Sequence, residues 1–374
     1  MSLTLKNFRP VGFNDPVDVI HIGPDGMIRD EAAEGAVPVD CGGAYLSAGW
    51  SDLHVHVWHG GTDISVRASE AGRATGVTSM ADAGSAGEAN FHGLREYVID
   101  PAAETVRAFL NIGSIGLVAC NRVPELIDMR SIDIDRTLAV IEANRDVICG
   151  IKVRASGVIV GSWGITPAKI AKRIAEMCEL PLMVHVGEPP PLIDEVFDIL
   201  TPGDIVTHCF NGKRAGSIRD TPALWAQARQ LSDSGVRMDI GHGAASFDFD
   251  VARRAISEGF KPWSISTDLH LRNIAGPVHD LATTASKLLA VGLGLEDAVT
   301  AITTNPRSII GLGGPDGMAA GRRADFTVFD LADCDMIATD SDGGVLRLEK
   351  VLEPRMTIIG ADVQAAARRI GAPR

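Results

Sequence analysis

Short apolar runs alternate with longer segments of helical periodicity through the middle of this 374-residue chain, and this alternation restricts its possible folds more than any other feature. The eight runs lie at residues 49–60, 76–81, 108–115, 147–153, 181–186, 204–209, 236–240 and 263–267. The helical segments include residues 137–144, 167–178, 192–200, 221–232 and 249–257. Strands separated by helices pair in parallel through crossovers, and eight such units predict an α/β fold with a closed (β/α)8 TIM barrel. An open doubly wound sheet is the alternative, but no glycine-rich phosphate-binding motif follows any run.

The two ends of the chain have a different pattern. Residues 1–48 contain short β-rich segments joined by turns such as GPDG at residues 23–26, and similar segments return at 316–330 and 351–359. We therefore predict one small β-sandwich domain built from residues 1–48 and 316–374. The barrel, residues 49–315, is inserted between its two halves. The chain exceeds the ~100 to 200 residues usual for one domain, which fits this arrangement.

Charge and composition narrow the class of partner. The formal net charge is -13 and no dense block of Lys and Arg occurs, which argues against nucleic acid or an anionic membrane as the partner. No apolar run approaches the ~18 residues of a membrane span, and the N-terminus has no secretory pattern. The six cysteines are spread out without a C-x-x-C pair. We expect a cytoplasmic homo-oligomer that acts on a small molecule.

A His-x-His pair in the first run is the first indication of chemistry. His54 and His56 project to the same side of an extended strand, whereas Leu53, Val55 and Val57 face the other side. Imidazole is the commonest protein ligand of zinc-like metals. Two hydrogen-bonded histidines near a strand end would give the same pattern, so the pair alone leaves both interpretations open.

Polar side chains recur at the same point of four further runs, namely Lys152, His185, His208 and Asp268. Each has a structural explanation on its own: Lys152 as a paired lysine without a lone pair, the histidines as hydrogen-bonded core residues, and Asp268 as a helix cap. Taken together, five strands would each place a costly polar group in one layer. Barrel enzymes carry their sites at the C-terminal ends of the strands, so the pattern favours a shared metal centre.

The stretches that carry these residues are HVH, IKV, VHVG, THCFNG and STD. They resemble the amidohydrolase superfamily of metal-dependent hydrolases, and in particular its dihydroorotase-like and N-acyl-amino-acid deacetylase branches. The resemblance covers nearly the whole chain, and the combination of motifs is specific although no single motif is. It implies two divalent metal ions, with zinc expected. His54, His56 and Asp268 would hold the first ion, and His185 and His208 the second.

The same resemblance implies that CO2 carboxylates the Lys152 amine, and that the resulting carbamate bridges the two metals. A hydroxide shared by the metals would attack the substrate carbonyl, and Asp268 would carry the proton to the leaving group. We therefore predict a binuclear-metal amidohydrolase that cleaves an amide or ester bond of a small, anionic acylated compound. Deacetylation of an N-acyl amino acid or an O-acyl hydroxy acid is the first hypothesis.

The chain departs from the family pattern beside the His-x-His pair. Dihydroorotases of this kind carry an arginine two positions after it that grips the substrate carboxylate, whereas this chain has Trp58, followed by His59. Opening of a cyclic amide is therefore the second hypothesis. Arg154, on the face of Lys152, and His242, at the end of the seventh run, are candidate substrate-binding residues. The alternatives are an ion pair of Arg154 with a barrel carboxylate and a structural role for His242.

Two further hypotheses have some support. The sequence HVGE at residues 185–188 resembles the H-x-G-E of mononuclear deaminases, in which the glutamate protonates a ring nitrogen. Lys152 argues against it, because one metal needs no bridging carbamate. The other is a non-catalytic scaffold barrel with a structural metal, but structural sites are closed by protein ligands and these residues meet at a loop-rich mouth. His270 is a weaker candidate for the site, and three histidines are expected to pack or lie at the surface: His21, His92 and His279.

Overall fold

The computed structural model of the protein describes residues 1–120, 122–314 and 317–369. Its strands are β1 (Leu3–Pro10), β2 (Val19–Ile22), β3 (Ile28–Arg29), β4 (Val37–Ala48), β5 (Trp50–Val55), β6 (Val77–Gly87), β7 (Thr105–Asn111), β8 (Ile148–Ala155), β9 (Leu182–Val186), β10 (Ile205–Thr207), β11 (Arg237–Asp239), β12 (Asp325–Thr339), β13 (Val345–Ile359) and β14 (Asp362–Ala365). Its α-helices are α1 (Ala68–Ala71), α2 (Phe91–Leu94), α3 (Ile134–Ala143), α4 (Gly157–Val160), α5 (Thr166–Cys178), α6 (Ile193–Phe197), α7 (Pro222–Asp233), α8 (Phe249–Ser257), α9 (Leu281–Ala290), α10 (Leu295–Ile302) and α11 (Thr304–Ile310).

One sheet is parallel, and its seven strands follow chain order from β5 to β11. Helix α5 joins β8 to β9 and packs against both strands, as a crossover helix does. Strand β6 is buried along its whole length, and β8 has one partly exposed residue, as expected for a parallel sheet that is covered on both faces. Within the described ranges, no helix is both long enough and apolar enough to cross a membrane.

The longer helices occupy the predicted helical segments because their ends carry ordinary helix signals. Helix α7 begins after Thr221, whose hydroxyl accepts a hydrogen bond of 3.1 Å from Leu224 N, and Pro222 stands in its first turn. Helix α5 also has a proline, Pro167, in its first turn. Helix α6 is shorter than the predicted segment 192–200, since it ends at Phe197.

The segment after β11 lies against both edges of the parallel sheet. Two isolated parallel bridges attach it, Asp239 to Ser264 and Val55 to Leu269. The eighth predicted strand, at residues 263–267, is therefore not a regular strand: one bridge involves Ser264 within this range, and the other involves Leu269 just after it. One reason is that Thr267 N donates to the Asp52 carboxylate at 3.0 Å, so a backbone donor that a strand ladder would use is taken by a side chain.

The second sheet contains strands from both ends of the chain, in the order β14-β13-β12-β4-β1-β2-β3. Strand β4 pairs in parallel with β1 and antiparallel with β12. The predicted turn at residues 23–26 joins β2 to β3, with a hydrogen bond of 2.9 Å from Gly26 N to Gly23 O. In the part of the chain that the structure describes, these strands form one continuous sheet and not the two hydrogen-bonded sheets usual in a β-sandwich.

The hairpin of β12 and β13 reaches from the second sheet to the loop that follows β11. Each of its strands has 15 residues. At its tip, residues 340–344, Ser341 N donates to Phe247 O at 2.9 Å and the Asp340 carboxylate accepts from Phe249 N at 3.0 Å. The hairpin tip therefore touches the end of the parallel sheet where the strand-end loops lie.

Leu53 does not share a face with Val55 and Val57, contrary to the strict alternation predicted for the first run. Leu53 packs in a small buried cluster with Met183, whereas the two valines belong to the main core. The pairing register of β5 against β6 shifts between Asp52 and Val55, which breaks the period of two.

Candidate active site

His54 and His56 lie at the end of β5, with ring centroids 5.5 Å apart. The Nδ1 atom of His54 is 2.8 Å from the Thr207 hydroxyl, and Nδ1 of His56 is 3.0 Å from the Ser85 hydroxyl. Both rings place Nε2 close to the Asp268 carboxylate. Oδ1 of Asp268 lies 3.5 Å from Nε2 of His54 and 3.1 Å from Nε2 of His56. Outer hydrogen bonds of this kind fix the orientation of metal-binding histidines.

His185 and His208 come from the ends of β9 and β10. Their ring centroids lie 4.4 Å apart, and the His208 ring lies 5.2 Å from that of His54. The Nδ1 atom of His208 contacts the Gly241 carbonyl at 2.6 Å, and its buried Nε2 atom has no hydrogen-bond partner within the described structure. A buried polar nitrogen without a partner is costly, so this atom is suited to a ligand.

The donor atoms of His54, His208 and Asp268 all lie within 4.8 Å of one another. Imidazole nitrogens together with a carboxylate oxygen are the donor set that zinc-like divalent ions prefer. An ion at this point would also give the unpartnered Nε2 atom of His208 a ligand bond. The residues therefore fit a metal centre by donor type and by spacing.

Burial determines the charge states of this cluster. It lowers the pKa of His54 and His185 well below the ordinary value and that of His208 to about 3, so these imidazoles are neutral and able to bind a metal. For Asp268 burial alone would raise the pKa, but the neighbouring His54 and His56 hold the pKa well below its usual range. The site therefore combines neutral nitrogens with an ionised carboxylate.

Lys152, on β8, is almost completely buried beside His54. Its Nζ atom lies 3.3 Å from His54 Nε2 and donates to the Met183 sulfur at 3.3 Å. Burial lowers the pKa of Lys152 to about 7, although the charge of Asp268 opposes this change. A large fraction of the amine is therefore neutral near pH 7, and a neutral amine has the lone pair that an ammonium lacks.

A cavity of about 310 Å³ contains these groups. The predicted metal-site residues that line it are His54, His56, Lys152, His185 and Asp268. Apolar side chains form another part of its wall, namely Ile64, Leu117, Val158 and Ile159. A concave site of this size with a few convergent polar groups suits a small organic molecule.

A family model described as the amidohydrolase family matches residues 45–359 of the chain. The chain belongs to the amidohydrolase family. A relative named deacetylase from Brucella anthropi is 55% identical, over 98% of this chain and 94% of its own length. Another deacetylase, from Enterococcus faecalis, is 38% identical, over 86% of this chain and 87% of its own length. These matches confirm the family predicted from the motifs, and this amidohydrolase is a hydrolase of C–N bonds.

Two solved structures resemble this amidohydrolase along almost the whole chain. One, described as a dihydroorotase, is 53% identical, covers 100% of both chains and has a TM-score of 0.95. The other, described as an adenine deaminase, is 34% identical, covers 97% of this chain and 99% of its own, and has a TM-score of 0.87. The names of these relatives refer to different substrates, so they do not assign one substrate to this chain.

Arg154 lines the cavity of this amidohydrolase, and the Glu125 carboxylate binds its guanidinium through two contacts of 2.7 Å each. The two side chains are only 10% and 1% exposed. Arg154 therefore has the carboxylate partner that was its alternative explanation, and it also faces the space that a substrate would occupy.

His242 is not among the residues that line the cavity. Its Nδ1 atom contacts Gly243 O at 2.9 Å, its Nε2 atom contacts Lys287 Nζ at 2.8 Å, and its ring packs against Phe247. The prediction that His242 binds substrate is therefore not supported, because both ring nitrogens are engaged inside the protein.

Two cations at the cavity, Lys213 and Arg272, are missing from the sequence-based set of site residues. Lys213 follows β10 and pairs with Glu188 at 2.9 Å. Arg272 lies four residues after Asp268, its side chain is exposed, and no ion pair holds it among the described residues. Their sequence signal is their place in the loops directly after two runs that carry predicted ligands.

The position of the family arginine lies outside the cavity: neither Trp58 nor His59 lines it. A Cβ atom at Gly61 would clash with the Trp58 indole, so the ring packs against the following turn. His270, the weaker candidate, does line the cavity. Its Nδ1 atom accepts a hydrogen bond of 3.1 Å from Arg272 N, which leaves Nε2 as the protonated nitrogen of the neutral ring.

Proposed function

We propose that this amidohydrolase hydrolyses the amide or ester bond of a small anionic acylated compound, an N-acyl amino acid or an O-acyl hydroxy acid. The observation that carries the proposal is that one cavity contains both the His-Lys-Asp cluster and an exposed guanidinium, that of Arg272, which has no carboxylate partner in the described chain. Such a guanidinium suits a substrate carboxylate. The name deacetylase of the 55% identical relative supports the acyl group as the part removed.

The metal ligands are proposed from donor type and proximity. His54, His56 and Asp268 would bind a first divalent ion, and His185 and His208 a second, with zinc as the proposed ion. The close contact of Asp268 with both histidines of the first set supports this division. When bound, such ions supply an activated water and polarise the substrate carbonyl.

Lys152 would join the two ion sites as a carbamate. Its lowered pKa of about 7 provides neutral amine, whose lone pair forms a bond to the carbon of CO2 while the amine loses a proton. The product is an anion with two oxygen donors in place of a buried cation. The contact of 3.3 Å between Lys152 Nζ and His54 Nε2 supports this role, because it brings the amine to the first ligand set.

Asp268 is the proposed proton carrier. Its ionised carboxylate accepts a proton from the attacking water and returns it to the leaving nitrogen or oxygen. The backbone of Asp268 has a positive φ of 49°, and Asn273 Nδ2 holds its carbonyl at 2.7 Å. An unusual backbone conformation held in this way is common where a side chain must keep one direction at a functional site.

Opening of a cyclic amide is the second candidate, and the 53% identical structure described as a dihydroorotase favours it. The cavity favours it less, because Trp58 stands at the position of the family arginine and lies outside the cavity. The deaminase hypothesis is weaker. Burial opposes ionisation of Glu188, but hydrogen bonds from Lys213 and Ser156 lower its pKa overall, so it is an anion without a proton to donate to a ring nitrogen.

We also propose that the parallel sheet closes into the predicted (β/α)8 barrel through residues 264–269, which the two isolated bridges support. In this arrangement residues 1–48 and 316–374 form the companion β domain of a barrel at 49–315. Residues 315, 316 and 370–374 of these ranges lie outside the described residues. The homo-oligomeric state and the cytoplasmic location stay predictions from the sequence.

The test is steady-state hydrolysis by protein loaded with zinc in the presence of bicarbonate. The substrates are N-acetyl amino acids, O-acetyl hydroxy acids, their methyl esters and cyclic amides such as dihydroorotate. We expect the free acids to be preferred, Asp268→Asn to lower kcat by at least about 100-fold, and Arg272→Met to raise KM for the acids but not for their methyl esters. Faster turnover of the cyclic amides, or equal kcat/KM for acids and methyl esters, would overturn the proposal.

A further inference from the structure

A buried lysine that the proposed reaction does not use lies behind the active site. Lys287, on α9, is 0% exposed. Its Nζ atom donates to His242 Nε2 at 2.8 Å, to Pro277 O at 2.7 Å and to Thr339 O at 2.7 Å. These contacts use all the donors of an ammonium group, and none of the acceptors is a carboxylate. A lysine buried in this way is costly, so its position calls for an explanation.

Lys287 and the Gly243 carbonyl contact the two ring nitrogens of His242. Because a carbonyl oxygen can only accept, the ring proton is on Nδ1, which donates to Gly243 O at 2.9 Å, and Nε2 of the neutral ring accepts from Lys287. Burial and the charge of Lys287 lower the pKa of His242 well below its ordinary value, in agreement with a neutral ring. The ring also packs against Phe247, with centroids 4.7 Å apart. His242 therefore connects Lys287 to the Gly243 peptide through one contact at each ring nitrogen.

Gly243 lies directly against the Asp268 carboxylate. A Cβ atom at Gly243 would be 2.6 Å from Oδ2 of Asp268, and its φ of 57° is in the left-handed region. Gly243 N donates to Thr267 O at 2.9 Å, one residue before Asp268. One carboxylate oxygen of Asp268 thus faces the histidines of the site, while the other packs against the Gly243 backbone.

The tip of the β12–β13 hairpin also contacts the backbone of His242 and Gly243. Ser341 Oγ lies 3.2 Å from His242 O and 3.1 Å from Gly243 O, so its single hydroxyl proton is shared between the two carbonyls. The three residues that follow Gly243 line the cavity, namely Ala244, Ala245 and Ser246. The loop after β11 is therefore fixed between α9 and the β12–β13 hairpin before it reaches the substrate site.

We infer that Lys287 is a positioning residue that holds the Asp268 carboxylate in place through His242 and Gly243, and that Ser341 assists it from the hairpin tip. This inference rests on the proposed function, in which Asp268 carries the proton. Residues behind the direct ligands of a metal site commonly change metal affinity or activity by about 10- to 100-fold when they are replaced. The arrangement predicts an effect on the chemical step, because the carboxylate moves while the substrate-facing cations stay.

The experiment compares Lys287→Met with a matched control, Lys172→Met. Lys172, on α5, is also a buried lysine, but it donates to Asp204 at 2.6 Å, just before β10 and at the opposite end of that strand from His208. Both variants replace a buried amine and remove its hydrogen bonds, so the thermal midpoint of each is measured beside kcat to separate a change in stability from a change in the chemical step. Only Lys287→Met is expected to lower kcat, by about 10- to 100-fold with KM changed far less.

A second readout is the visible absorption of protein loaded with Co2+ instead of zinc, because these bands report the ligand geometry of the ion. Lys287→Met is expected to change the bands, and Lys172→Met to match wild type. Equal kcat and equal spectra in the two variants would overturn the inference. Should Lys287→Met fail to fold, Ser341→Ala is measured in its place, and an unchanged kcat and spectrum there would overturn it. If wild type hydrolyses no acyl substrate, the proposed function fails, while the cobalt spectra still decide whether Lys287 positions Asp268.

Discussion

Replacing Lys152 by methionine is expected to stabilise the metal-free protein while abolishing its activity. In the unfolded chain the Lys152 amine has its ordinary pKa of 10.5, whereas burial lowers the pKa to about 7 in the folded protein. Folding at pH 7 therefore requires the amine to lose its proton or to remain charged in a buried place. This difference in pKa corresponds to about 4 kcal/mol of lost stability at pH 7.

Methionine is unbranched, has a similar length and carries no charge, and the side chain at this point already contacts the sulfur of Met183. Imperfect packing of the new side chain offsets up to about 1.5 kcal/mol of the gain. The variant should therefore exceed wild type by roughly 3 kcal/mol in the free energy of unfolding at pH 7. Because the pKa of Lys152 is lowered on folding, the gain is largest below pH 7 and disappears as the pH rises towards 10.5.

The assay is urea unfolding of both proteins after removal of metal by a chelator, at pH 6, 7 and 10. Metal content after reloading with zinc and bicarbonate, and turnover of an acylated amino acid, are measured on the same samples. We expect a higher urea midpoint, less bound metal and no turnover for Lys152→Met. A lower midpoint than wild type at pH 7, or a gain that persists at pH 10, would refute the reasoning. Two metals per chain and normal turnover in the variant would exclude the carbamate.

Three further predictions test other parts of the structure. Dialysis against a chelator should abolish turnover and lower the thermal midpoint, and zinc should restore both; a chelated protein that keeps its activity would contradict the metal centre. Glu125→Gln should lower the free energy of unfolding in urea by about 3 to 5 kcal/mol, because it removes the carboxylate that pairs with the buried Arg154 guanidinium. The control Glu142→Gln, which breaks the exposed pair with Arg145, should cost less than about 1 kcal/mol. Gly243→Ala should lower kcat, because its Cβ atom would clash with the Asp268 carboxylate. The control Gly259→Ala, at a φ of 78° and with open space around it, should lose about 1 to 2 kcal/mol of stability and keep kcat. Equal kcat in the two alanine variants would contradict this contact.

The parallel sheet is predictable from the sequence because burial on both faces of a strand requires continuous apolar runs, and the helices between them require a different period. The eighth strand is not predictable at the same level. Its apolar run is present, but the carboxylate of Asp52, more than two hundred residues earlier in the chain, takes the Thr267 amide. Because Asp52 is so far from Thr267 in the sequence, its hydrogen bond in place of a strand–strand backbone bond leaves no pattern near residues 263–267.

The cluster of metal-site candidates is predictable for a simple reason. Parallel strands end at one edge of the sheet, so polar residues such as His54, Lys152 and Asp268 at the ends of separate runs are brought to one place. The direction of a single ring is not predictable in this way. His242 also ends a run, but Lys287 and the Gly243 carbonyl bind both of its nitrogens, and no motif connects these residues.

The cations that line the cavity are the part of the site that the sequence predicts least. Arg272 lies in a loop, where the shape of the backbone and not a repeating period decides which way a side chain points. The family position two residues after the His-x-His pair is uninformative in this chain, since Trp58 packs against its own turn.

The pairing of β4 with β12 affects the order in which the protein can fold during translation. Residues 45–48 lie beside residues 326–329 in the second sheet. At ordinary rates of synthesis, roughly 15 to 60 s pass between the emergence of the two strands from the ribosome. During this time one edge of β4 has no partner and is open to other chains. A chain stalled before residue 325 therefore exposes a strand edge and also lacks Ser341, which holds the loop beside Asp268.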